Sequence, residues 1–238
     1  MSASFPAQAE GFQIRVSGRA RRPRISVDPH GRATVVLPQG FDPGLATELV
    51  AERAEWIHSA RAKMAERYPG SGQTGLPETL HLAATGESFA LRHSPAAGAP
   101  AVRESTAGVL LLRGPGRDSE AARLALLAWL ARHLRPWAES RLAKIGEPHG
   151  LSPSKVALRS QRTRWGSCSA TGTISINVRT AFLDARLADY VVAHELAHLA
   201  EMSHSPAFWH RVESIMPGAA KFDRELTRAG RSLPGWLL

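Results

Sequence analysis

The stretch Tyr190-Val191-Val192-Ala193-His194-Glu195-Leu196-Ala197-His198 holds the residues best suited to chemistry. His194 and His198 are four apart, so on a helix their imidazoles lie one above the other on a single face. Glu195 sits beside that face, within reach of a water held between the two rings. Most positions from Leu187 to Ala200 are otherwise apolar, which predicts a helix buried in the middle of the fold. Two imidazoles and a carboxylate in such a place need partners, because an unpaired buried polar group costs roughly 1–3 kcal/mol. One divalent cation would satisfy all three together.

A catalytic zinc takes three protein ligands and keeps one position for water. His204 is the leading third ligand. A straight helix rising about 1.5 Å per residue would carry it about 9 Å past His198, so the helix must stop between Leu199 and His204. Ser203-His204-Ser205-Pro206 allows this, with a serine cap before a first-turn proline. Phe208, Val212 and Ile215 then resume helical spacing up to Pro217-Gly218. Glu201 is the rival ligand or an outer partner, and His210 reads as structural. Three neutral imidazoles on Zn²⁺ would drop the pKa of a water from 15.7 toward about 7, with Glu195 as its general base. Other divalent ions could compete for the same donors.

The positioning elements follow from patterning. Arg24–Asp28 alternates, Pro29–Arg32 reads as a turn, and Ala33–Leu37 is a second, more buried strand. Asp42-Pro43 starts a helix that carries Leu45, Leu49, Trp56, Ile57, Ala60 and Met64 on one face. Pro69–Pro77 is a loop. Short strands are expected at Leu80–Ala83, Ser88–Leu91 and Val109–Leu112. After Gly114-Pro115-Gly116 the chain turns helical, from Leu124 to Ile145, with Pro136 kinking or splitting the run. The expected fold class is α+β: a loose tail at 1–10, then a single domain 11–238 made of a β-rich lobe (11–115) packed on a helical lobe (118–238).

The net charge is +9, a balance that suits polyanionic partners. Only Lys63, Lys144, Lys155 and Lys221 of the 30 basic residues are lysine, so arginine richness runs through the whole chain. Arg15, Arg19, Arg21, Arg22 and Arg24 cluster on a hairpin-like segment, either as a solvated strand face or as a polyanion contact. No apolar run reaches the ~18 residues of a membrane span, and Met1–Phe12 lacks the features of a signal peptide. The single cysteine, Cys168, excludes an intramolecular disulfide and fits a reducing cytoplasm. It reads as a small buried residue rather than a nucleophile.

Four blocks in order, Arg164-Trp165-Gly166-Ser167-Cys168-Ser169, Ile174-Ser175-Ile176-Asn177, His194–His198 and His204-Ser205-Pro206-Ala207-Phe208-Trp209, resemble the YgjP-like predicted metallopeptidases, relatives of the SprT-like zinc proteins. The resemblance covers most of the chain and implies a zincin-type helix. It also implies zinc on the positions of His194, His198 and His204, and catalysis by Glu195. The histidine spacing matches metzincins too, but Glu201 stands where they carry glycine. Gly166 suits a tight turn and Thr173–Val178 a strand. Arg164 could fix a substrate carboxylate or phosphate and Asn177 could line the cleft; the alternative is a turn and strand beneath the helix, with Trp165 in the core. Three functions compete: a peptidase acting on peptides or proteins, a hydrolase of nucleotides or other phosphoanhydrides, and a nucleic-acid-associated module with a structural zinc.

Overall fold

The structure, a computed structural model, describes residues 11–161 and 163–238. The tail expected at 1–10 lies outside them. The chain forms two compact units: one runs to Thr74 and takes in Arg231–Leu238, and the other is Gly75–Gly230. The architecture is α+β.

In the first unit β1 (Phe12–Ser17), β2 (Arg24–Val27) and β3 (Ala33–Pro38) form a sheet in the order β1-β3-β2. The predicted turn joins β2 to β3. Asp28 Oδ1 accepts from the backbone N–H of His30 and Arg32 at 2.9 and 3.0 Å, and Gly31 supplies the left-handed residue at φ 75°. The arginine-bearing segment is not a hairpin, however, because β3 lies between β1 and β2 and runs parallel to β1. Phe12, Ala33, Val35 and Leu37 bury one face against Ala46 and Ile57.

The helix expected after Asp42 is two helices, α1 (Leu45–Glu52) and α2 (Ala54–Arg67), broken at Arg53 with φ −107° and ψ 14°. That break resets the helical phase. Ile57 turns inward at 4% exposure, while Trp56, expected on the same buried face, is 48% exposed.

In the second unit β4 (Thr79–Leu82), β5 (Glu87–Pro95), β6 (Ala101–Thr106) and β7 (Val109–Gly114) pair in the order β4-β5-β7-β6. β6 escaped the sequence reading because it is an edge strand with one buried residue, Val102. Helix α3 (Glu120–His133) packs on this sheet and is capped by Ser119, whose Oγ accepts from Ala122 N at 3.1 Å. Pro136 splits the helical run as predicted. Its missing N–H falls in the first turn of α4 (Arg135–Gly146), where no intrahelical partner is needed.

The chain then adds β8 (Lys155–Arg159), β9 (Gly166–Cys168) and β10 (Thr173–Asn177), ordered β8-β10-β9. Three helices follow: α5 (Ala185–Ala197), α6 (Pro206–Ile215) and α7 (Ala219–Arg231). Asp184 caps α5, its Oδ1 accepting from Arg186 N and Leu187 N at 3.0 Å each. Ile174, Ile176, Tyr190, Leu196, Phe208 and Phe222 share one core with α5 at its centre. Among the described residues no helix is long and apolar enough to cross a membrane.

Candidate metal centre

Helix α5 brings His194 and His198 to one face, with ring centroids 5.1 Å apart. The helix ends at Ala197 and the chain tightens, Leu199 N donating to Leu196 O and Ala200 N to Ala197 O. α6 restarts at Pro206 under a Ser205 cap, whose Oγ accepts from Phe208 N at 3.3 Å. The reversal between these helices swings His204 back over α5. Its Nε2 stands 3.2 Å from that of His194, and one ligand atom from each of the three histidines lies within 4.8 Å of the others. Two imidazole nitrogens on one tetrahedral zinc at about 2.0–2.1 Å are about 3.3 Å apart, so this donor set fits such an ion.

The surroundings hold the rings in that state. His198 Nδ1 lies 3.0 Å from the carbonyl of Glu201; donating there leaves Nε2 bare for a metal. Phe208, fully buried, floors all three rings at centroid distances of 4.4 to 4.9 Å. Burial first, then His198 and His204, pushes His194 down to about 4, and burial lowers His198 as well. Rings kept neutral are rings able to ligate. Glu201 faces elsewhere, accepting from Ser203 Oγ at 2.9 Å, and His210 is exposed outside the cluster.

Glu195 is 5% exposed, and its Oε2 has no hydrogen-bond partner. Burial raises its carboxyl to about 7, against the lowering effect of the Arg164 charge. A carboxylate whose folded pKa exceeds its ordinary 4.5 destabilises the fold as pH rises through that interval. The metal-free protein should therefore carry a penalty of about 3 kcal/mol above pH 7 that vanishes below pH 4.5. Denaturant unfolding of chelated wild type and Glu195→Gln across that range checks it, the variant being the more stable only at the upper end.

Gly166, expected at a tight turn, is instead a residue of β9 paired with Ile176. A Cβ there would stand 2.6 Å from both Cγ and Oε1 of Glu195, so its missing side chain is the room the carboxylate occupies. Arg164 and Cys168 line the same cavity of about 490 Å³, with Tyr190, Met202, Asp223 and Leu226. Burial and the Glu195 charge both raise the Cys168 thiol. Asn177 does not line the cavity. It is 2% exposed, donates to the carbonyls of Gln161 and Arg164 at 2.7 and 2.6 Å and accepts from Arg179 N at 3.1 Å. It thus pins the strap that carries Arg164.

The sequence reading passed over Tyr190, although its place one turn before His194 on the same helical face was the signal for it. Its phenol is pushed up to about 12 by burial and Asp223. Asp223 and Leu226 come from α7 and had no sequence signal.

The family model for the YgjP-like metallopeptidase domain matches residues 21–229. Among solved structures, the metallopeptidase zymogen abylysin of Pyrococcus abyssi is 30% identical, over 40% of this chain and 98% of that one, at a TM-score of 0.36. The zymogen jannalysin of Methanocaldococcus jannaschii is 17% identical, over 37% of this chain and 92% of that one, at a TM-score of 0.34. Among curated proteins none matches.

Proposed function

Since the chain belongs to the YgjP-like metallopeptidase family, and is a metal-dependent hydrolase, we propose that His194, His198 and His204 hold zinc for peptide hydrolysis with Glu195 as general base. The convergence of three imidazole nitrogens within 4.8 Å, beside a buried carboxylate oxygen without a partner, carries this reading. A bound cation supplies Lewis acidity, lowering the pKa of a water and polarising the scissile carbonyl. Glu195 Oε2, buried beside the donors without a hydrogen-bond partner of its own, takes the water's proton. The same group then delivers the proton to the leaving amine.

Arg164, exposed at the cavity, engages a substrate carboxylate, and Asn177 acts through it by fixing its backbone. Gly166→Ala should crowd Glu195 out of position and lower kcat/KM by about a hundredfold. Zinc content should stay unchanged, since the three atoms nearest the new methyl all belong to Glu195. Loss of zinc together with activity would show that Gly166 serves the whole centre rather than the base.

The zinc-loaded protein, assayed on casein and on short peptides beside nucleoside triphosphates, tests the substrate class. Peptide cleavage that is lost on chelation and restored by zinc is expected. Release of phosphate or pyrophosphate from nucleotides without any peptide cleavage would overturn it in favour of a phosphoanhydride hydrolase, for which an arginine at the cavity is equally apt.

A further inference from the structure

The face of the β1-β3-β2 sheet opposite Phe12 is buried at Val36 on its middle strand but exposed along β1 and β2, and it has no part in the candidate metal centre. Register sets Arg15 and Arg24 on either side of Val36, and Gln13 and Ser26 on either side of Thr34. All six therefore share the face opposite Phe12, Val35 and Leu37. The connection from β1 to β2 adds Arg19, Arg21 and Arg22. All five arginines are exposed, and none has an ion-pair partner among the described residues.

No aspartate or glutamate occurs from Gly11 to Val27, nor in β3. A merely solvated face intersperses both signs; this one carries a single sign, with Gln13, Ser26 and Thr34 beside the arginines and the buried Val36 between Arg15 and Arg24. At its end Ser17 pairs with Pro38, so the arginine loop leaves the sheet beside the turn that holds Phe41. That aromatic ring is 42% exposed, and its backbone N–H donates to Pro38 O at 3.3 Å.

We propose that this face binds the phosphodiester backbone of a single-stranded nucleic acid, with Phe41 stacking on an unpaired base. Guanidinium forks match phosphate oxygens in bidentate pairs. Gln13, Ser26 and Thr34 are side chains of the kind that add neutral phosphate and sugar contacts. An exposed aromatic at the edge of a cationic surface is the arrangement that takes a base without reading its sequence. An anionic bilayer would meet the same charge but has no unpaired base to offer Phe41. The proposal stands apart from the peptidase reading.

Fluorescence anisotropy of the full chain with a labelled single strand of about 20 nucleotides tests it. Five phosphate contacts predict log K falling with log salt at a slope of about −3.5. Arg15→Gln/Arg22→Gln/Arg24→Gln should weaken binding at least tenfold and flatten the slope by about 2. Phe41→Ala should weaken it about fivefold or more without changing the slope. Arg103→Gln/Arg113→Gln/Arg211→Gln removes equal charge from exposed sites elsewhere and should change affinity less than twofold. Equal losses in the two triple variants, no binding at about 50 mM salt, or tighter binding to the duplex or to phosphatidylserine vesicles would each overturn the proposal.

Discussion

Glu195→Gln is expected to keep zinc and fold while lowering kcat/KM by about three orders of magnitude. Glutamine has the same shape, so it fills the space that Gly166 leaves without the 2.6 Å conflict that a new methyl would create. What it lacks is a lone pair basic enough to take a proton from water. The proposed ligand set is untouched, because the three candidate donors within 4.8 Å are all imidazoles. Steady-state peptide cleavage, read beside the zinc content of the same sample, separates base from ligand. Wild-type turnover in the variant would remove Glu195 from the chemistry.

His204→Ala should weaken zinc binding by about a thousandfold. Losing an outer group that merely orients a ligand already costs 10–100-fold, and here a proposed donor itself is deleted. The fold should survive. His204 is exposed in the reversal between α5 and α6, and the Ser205 cap that starts α6 does not depend on it. His198→Ala makes the contrast, since that ring is buried and stacked on Phe208 at 4.4 Å; stability should fall along with affinity. Competition titration with a zinc-sensitive chelator gives the affinities, and thermal unfolding of the metal-free forms separates the two effects. Undiminished affinity in His204→Ala would reassign the third donor.

The convergence of the three histidines was legible because its geometry is local. His194 and His198 need only helical spacing, and the return of His204 follows from the Ser205-Pro206 restart within ten residues. Pro136 marked its helix boundary for the same reason. What the sequence concealed depends on contacts made across the fold. The missing Cβ of Gly166 reads as a turn until Glu195 is seen to occupy its place. Asn177 reads as a cleft residue until its amide is found bound to the carbonyls of Gln161 and Arg164. Parallel pairing of β1 with β3 leaves no local trace, so the arginine segment resembled a hairpin. The break at Arg53 likewise turned Trp56 outward with no glycine or proline to announce it.

The most direct test is a crystal structure of the zinc-loaded protein, with the metal located by anomalous scattering at the zinc edge. The metal should lie about 2.0–2.1 Å from one nitrogen each of His194, His198 and His204, with Glu195 unbound beside it. Zinc held by only two of these rings, or by Glu201 or Cys168 in place of His204, would contradict the account.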